Sequence, residues 1–190
     1  RERFLPAIEL IKIHTQIINV DGGVDYRLRS LEQAQLFHTP LGDKTDRALQ
    51  ECFNSLLPIN AHVKKNQMLE IEGRLIPSRY ESDDIVWFDF VSLCDGPRSQ
   101  NDYIELAREY HTVIISNIPE LTAKKEDQAR RFINLVDEFY DRQVKLVLSS
   151  ERNLEAIYSG QRLVFEFQRT VSRLLEMQSK LYLEKPHRPE

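Results

Sequence analysis

An α/β fold is what the sequence predicts, centred on a β-α-β-α-β unit with parallel strands over residues 84–150. Three observations carry it. Ile85–Phe90, Thr112–Ser116 and Val144–Leu148 are short, almost continuously apolar runs of strand length. Between them lie segments of helical period: Tyr103, Leu106, Ala107 and Tyr110 share one face, and a long helix runs across Gln128–Arg142. Strands of this length alternating with helices need crossover connections, which join parallel neighbours. The composition agrees, since 190 residues with 41% hydrophobic and 29% charged side chains describe a soluble globular chain of one or two domains.

The elements follow in order. Phe4, Leu5, Ile8 and Ile11 form a helical stripe within residues 1–14, and Gln16–Val20 reads as a strand. Asp21-Gly22-Gly23 breaks the chain, because glycine tolerates backbone conformations that other residues resist. Leu49, Cys52, Phe53, Leu56 and Leu57 predict an amphipathic helix over Asp43–Leu57, stopped by Pro58. Leu69, Ile71, Gly73 and Leu75 alternate as one half-buried strand closed by Pro77-Ser78. Within the central unit, Gly96-Pro97 marks a turn and Pro119 a loop. Leu163, Phe165 and Phe167 alternate as a last strand over 162–167, and Gln168–Leu183 is a last helix. The tail from Lys185 to Glu190 reads as unstructured. Arg3-Phe4-Leu5 weakly echoes Arg131-Phe132-Ile133, each in a helix leading to a strand, though two unrelated helix–strand units read equally well.

Charge and motifs narrow the function classes. Lys plus Arg total 26 against 30 Asp plus Glu, a net charge of −4, so the broad basic footprint of a nucleic-acid binder is missing. Runs such as Ile85-Val86-Trp87-Phe88 fall far short of the roughly 20 residues that span a bilayer, and no transmembrane segment is expected. Cys52 and Cys94 form no Cys-x-x-Cys pair, which disfavours zinc and fits a reducing compartment. The chain opens at Arg1 and reads as a fragment.

A nucleoside triphosphate site needs a glycine-rich loop followed by Lys and Ser/Thr. Gly42-Asp43-Lys44-Thr45 is the nearest approach and lacks the first glycine and the spacing. Leu135-Val136-Asp137-Glu138 imitates a magnesium-holding strand motif, but Phe132, Leu135, Val136, Phe139 and Tyr140 recur at helical spacing, which puts the acids on a helix flank. Asp89, ending Val86-Trp87-Phe88, reads as a capping or turn acid. The five histidines are isolated, and His111 reads as structural.

Arginines carry more information, because guanidinium matches phosphate oxygens in a fork and stays charged. Arg1 and Arg3 stand at a helix start, Arg27 and Arg29 follow the glycine pair, and Arg169 and Arg173 share a face at i, i+4. Each can equally be an ion-pair arginine: Glu166 is in reach of Arg169 or Arg173, Glu176 of Arg173, and Asp25 of Arg27 or Arg29.

Longer strings carry a family resemblance. They are Arg1-Glu2-Arg3-Phe4-Leu5-Pro6-Ala7-Ile8, Val20-Asp21-Gly22-Gly23-Val24-Asp25-Tyr26-Arg27-Leu28-Arg29, Trp87-Phe88-Asp89-Phe90, Gly96-Pro97-Arg98-Ser99, the segment from Ala129 to Arg142, and that from Phe165 to Leu174. Together they resemble the ZapE/Afg-type ATPase family of the AAA+ superfamily, and specifically its C-terminal half. In the family's usual order the phosphate-binding loop and its Asp-Glu motif precede the part corresponding to Arg1.

The resemblance implies the end of a P-loop AAA+ core over 1–22, a lid-like helical and β segment over 23–83, and the β-α-β-α-β unit over 84–150. A C-terminal strand and helix over 151–183 and a flexible tail over 184–190 complete the expected division. It further implies a parent that binds ATP and Mg2+, with no metal ligands expected in this part. Arg1 and Arg3 become candidates for an arginine finger, and Arg173, Arg169 and Arg27 for nucleotide sensors. Family members act in bacteria with the division ring and FtsZ, and in eukaryotes in mitochondrial inner-membrane quality control. The expected parent is therefore a cytoplasmic bacterial homo-oligomer recruited to the division site, with no nucleic-acid partner. The alternative is a non-catalytic scaffold or partner-binding module that keeps the family fold.

Overall fold

The computed structural model describes the chain from Tyr26 to Glu190, with side chains from Leu28 onward. In order, the elements are α1 (Tyr26–Gln33), β1 (Phe37–His38), α2 (Asp43–Leu56), β2 (Lys64–Lys65), β3 (Met68–Ile71), β4 (Arg74–Pro77), β5 (Tyr80–Ser82) and β6 (Ile85–Asp89). They continue with α3 (Phe90–Cys94), α4 (Gln100–Glu109), β7 (Thr112–Ile118), α5 (Glu126–Asp141), β8 (Lys145–Ser150), α6 (Val164–Met177) and α7 (Lys180–Leu183). Short 3-10 turns at Ala123–Lys125 and Leu154–Ala156 lead out of the last two long strands.

Among the described residues six strands form one mixed sheet in the order β1-β8-β7-β6-β5-β2. Its centre is parallel, with β6 against β7, β7 against β8, and β1 against β8. Strands β5 and β2 add an antiparallel edge. Both faces of the parallel strands are covered, which is why they read as unbroken apolar runs. Val86, Phe88, Val113, Ile115, Leu146 and Leu148 point into a core shared with α4, α5 and α6. The alternate residues Ile85, Trp87, Ile114 and Val147 point into a second core under α1 and α2. This is the period-2 alternation of a strand buried on both sides. The β-α-β-α-β unit expected over 84–150 is present as β6-α3-α4-β7-α5-β8.

Local chemistry fixes the helix boundaries. Ser99 and Asp102 form a capping box at the start of α4, with the Ser99 N–H donating to Asp102 Oδ2 at 2.6 Å. Helix α5 buries Phe132, Ile133, Leu135, Val136 and Phe139 along one side, which places Asp137 and Glu138 on its flanks as the spacing predicts.

Two expectations are corrected. The alternation from Leu69 to Leu75 is a hairpin of two paired strands, β3 and β4, and not one strand. Glu72 and Gly73 adopt φ of 48° and 70°, the left-handed pair that a tight hairpin turn requires. Residues 162–167 hold no strand, because Val164 already begins α6. Leu163 and Phe167 are buried while Phe165 is exposed, so the burial is that of one helical turn. The tail over 184–190 has no helix or strand, yet it is tied down. His187 Nε2 donates to Ala107 O at 2.6 Å, and the Arg188 N–H to Arg142 O at 2.9 Å. Buried Lys145 Nζ donates to the carbonyls of Tyr182 and Lys185 at 3.1 and 2.6 Å. The helix and strand expected over 1–20, and the Gly22-Gly23 break, lie outside the described residues.

Candidate functional site

Helices α5 and α6 pack side by side and bring Arg169 and Arg173 onto one carboxylate. Arg169 Nη2 lies 2.8 Å from Asp137 Oδ2, and Arg173 pairs with Asp137 Oδ1. The partner is thus Asp137 of the neighbouring helix, and neither Glu166 nor Glu176. The Arg173 guanidinium also lies over the Tyr140 ring, 4.9 Å from its centroid, where the π face favours a cation. Tyr140 donates its hydroxyl to Glu176 Oε2 at 2.6 Å. That bond, ahead of every other influence, holds the Glu176 carboxyl below its ordinary range and pushes the Tyr140 hydroxyl up. Arg169 and Arg173 share Asp137, and Glu176 adds a second carboxylate in the field of Arg173, so two cations here face two acids. Arg169 keeps 56% of its side chain exposed against 23% for Arg173, so Arg169 is the one an incoming anion meets first.

A second polar cluster occupies the C-terminal ends of β6 and β7. Asp89 Oδ1 accepts from Ser116 Oγ at 2.9 Å and from Asn117 Nδ2 at 2.7 Å. Trp87 Nε1 donates to Ser116 Oγ at 2.9 Å. Arg79 lies over the Trp87 ring and within 4.0 Å of Asp46 on α2 and 3.6 Å of Asp89. Asn117 holds φ of 63°, a region asparagine tolerates better than most residues. The expected capping role of Asp89 changes in detail: it precedes α3 without a side-chain cap bond and binds sideways to β7. These groups satisfy one another and clasp α2, β6 and β7 together. Sequence reasoning passed over Ser116, Asn117 and Arg79. The available signal was position, since polar residues ending adjacent parallel strands gather at one rim of an α/β sheet.

Arg1 and Arg3 lie outside the described residues. Arg27 belongs to α1 by its backbone, and its side chain lies outside the described ones. Gly42-Asp43-Lys44-Thr45 opens α2 just after β1, which is the place of a phosphate loop. Its chemistry does not fit one: Thr45 Oγ1 donates to Pro40 O at 2.7 Å, and Asp43 and Asp46 put negative charge in the first turn. ATP with Mg2+ therefore finds no complete cradle among these residues. No group of three His, Cys, Asp or Glu among the described residues could hold a metal ion. Burial pushes the Cys52 thiol up to about 11 and the Cys94 thiol up as well, so neither is a nucleophile at neutral pH. His111 Nδ1 lies 2.8 Å from Thr112 Oγ1, consistent with its structural reading. Among the described residues no helix is long and apolar enough to cross a membrane.

Scaffold and side chains together define an α/β domain that presents paired arginines on its last long helix, with no complete phosphate cradle among the described residues. Comparison with known proteins gives its family. The AFG1-like ATPase family matches residues 1–186, and the chain belongs to it. Cell division protein ZapE of Escherichia coli K12 is 48% identical over 187 residues, covering 98% of this chain and 49% of that protein. Lactation elevated protein 1 homolog B of Danio rerio is 30% identical over 215 residues, covering 96% of this chain and 43% of its own. An uncharacterized protein of Schizosaccharomyces pombe is 31% identical, with 98% and 47% covered. The chain thus spans about half the length of these relatives. No solved structure matches.

Proposed function

We propose that this chain is the arginine-bearing part of an AAA+ P-loop ATPase that acts in bacterial cell division. The observation that carries this reading is the 48% identity to a cell division protein along 98% of the chain, inside an ATPase family match. In this reading the phosphate loop and the binding of ATP and Mg2+ belong to the remainder of the parent. Residues 1–22 end its nucleotide-binding core, and 23–83 form a lid-like segment. Arg1 and Arg3 reach toward a neighbouring subunit's nucleotide, while Arg27, Arg169 and Arg173 sense the subunit's own. A planar cation beside a transferring phosphoryl group offsets the charge that develops there, a contribution of roughly 10³–10⁵ in rate for arginine fingers. The parent works as a homo-oligomer in the cytoplasm and is recruited to the division site, with FtsZ as the candidate partner. One observation favours the second reading, a non-catalytic module: Arg173 is already engaged by Asp137 and Tyr140.

Complementation between subunits tests the first reading. Full-length protein with Arg1→Ala or Arg3→Ala is expected to bind ATP and hydrolyse it poorly. Mixed with subunits lacking the phosphate-loop lysine, it should regain part of the activity, because mixed interfaces pair an intact loop with an intact arginine. Normal hydrolysis by both arginine variants, or no recovery in rings shown to be mixed, rejects the trans-acting role.

A further inference from the structure

Helix α6 is apolar on more than its buried side. Phe167, Thr170, Leu174 and Met177 face the core. Away from them, Val164, Phe165 and Leu175 stand exposed, Phe165 by 84%. Val164 borders a groove of about 440 Å³ between α6 and the segment over 155–160, walled by Tyr158, Phe167 and Val171 and, on its polar side, by Glu155, Gln168 and Ser172. A protruding aromatic on the helix that walls a preformed groove of mixed lining has the make-up of a docking patch, apolar at its centre and polar at its edge. Among the described residues the remaining exposed large apolar side chains, Ile59, Met68, Leu75, Val91 and Leu181, line none of the larger grooves, and of the three on α6 Val164 is the one that does.

We propose that the outer face of α6, with this groove, docks against the phosphate-loop-bearing portion of the family's longer polypeptide. Three observations choose that occupant. The relatives are about twice as long as this chain, so a comparable length of polypeptide lies outside it. These residues contain no phosphate loop, so the family's loop belongs to that outside length. Arg169, more than half exposed, stands one helical turn from Phe165, so a surface seated on Phe165 comes within reach of its guanidinium. The identity of the occupant rests on the ATPase reading.

The test is photo-crosslinking in the full-length polypeptide. A photoreactive amino acid replaces Phe165 or, for reference, Ile59, in an equal mixture of heavy-nitrogen-labelled and unlabelled chains. The expected result at 165 is crosslinks to peptides of the same isotopic label from outside these 190 residues, with no such product from 59. Adding Leu175→Asp should reduce the yield roughly tenfold or more, because a charge then faces the apolar contact. Mixed-label pairs, which signify a second copy, overturn the proposal. So do crosslinks confined to residues 1–25, or no crosslink at all. ATP hydrolysis by the unsubstituted full-length protein is measured alongside. Crosslinks without hydrolysis leave the docking surface standing and remove the ATPase reading, while hydrolysis without crosslinks does the reverse.

Discussion

His38 is a buried histidine whose protonation folding disfavours. It ends β1 at the rim of the parallel strands, and its Nε2 has no hydrogen-bond partner among the described residues. Desolvation lowers its pKa from 6.5, outweighing a backbone hydrogen bond with Gln35 that acts in the opposite direction. A depressed histidine means that the unfolded chain binds more protons than the folded one. Its contribution to stability is therefore complete above pH 6.5 and is lost as pH falls through the folded value. Urea unfolding at about pH 7 and about pH 5.5 should show a loss of stability on acidification that His38→Gln reduces. An equal loss in the variant would show that His38 contributes nothing to it. Nothing in the sequence marks this residue, because isolated histidines look alike until burial is known. Asp89 was visible as a strand-end acid, whereas its partners Ser116 and Asn117 required the register of β6 against β7.

Among the elements, the junction of α5 and α6 carries the arginines and sets the relative cost of losing them. Asp137 and Arg173 are mostly buried and Arg173 is stacked on Tyr140, so Asp137→Ala strands a cation in a partly desolvated place. The expected cost is about 1–2 kcal/mol, between the values for surface and buried pairs. Arg169→Ala removes an exposed partner and should cost less than about 0.5 kcal/mol. Chemical denaturation of both variants checks the order, and equal losses would contradict it. Helical period made α2, α4 and α5 legible from the sequence, and apolar runs did the same for β6, β7 and β8. The start of α6 was misread because Leu163, Phe165 and Phe167 satisfy strand alternation while only the i, i+4 pair is buried. The hairpin was read as one strand because its turn residues, Glu72 and Gly73, preserve the alternation on both sides.

For the whole molecule, two cores lie on the two faces of one mixed sheet whose centre is parallel. Loops leave β1 toward α2 on one face and β8 toward α6 on the other, the topological switch at which α/β sheets commonly bind ligands. Here the helix that follows β1 starts with two acids, and the aspartate–serine–asparagine clasp closes the neighbouring ends of β6 and β7 on the same rim. The α/β class was legible because both-face burial writes itself into the sequence. The placement of Arg169 and Arg173 was not, since their partner lies 32 and 36 residues away on another helix. In the proposed reading the nucleotide-holding residues of an ATPase parent lie outside these 190 residues. Calorimetric titration of the 190-residue chain and of its full-length parent with Mg-ATP tests it most directly. The account predicts binding by the full-length protein and no micromolar binding by the chain alone. Micromolar binding by the chain alone would contradict it.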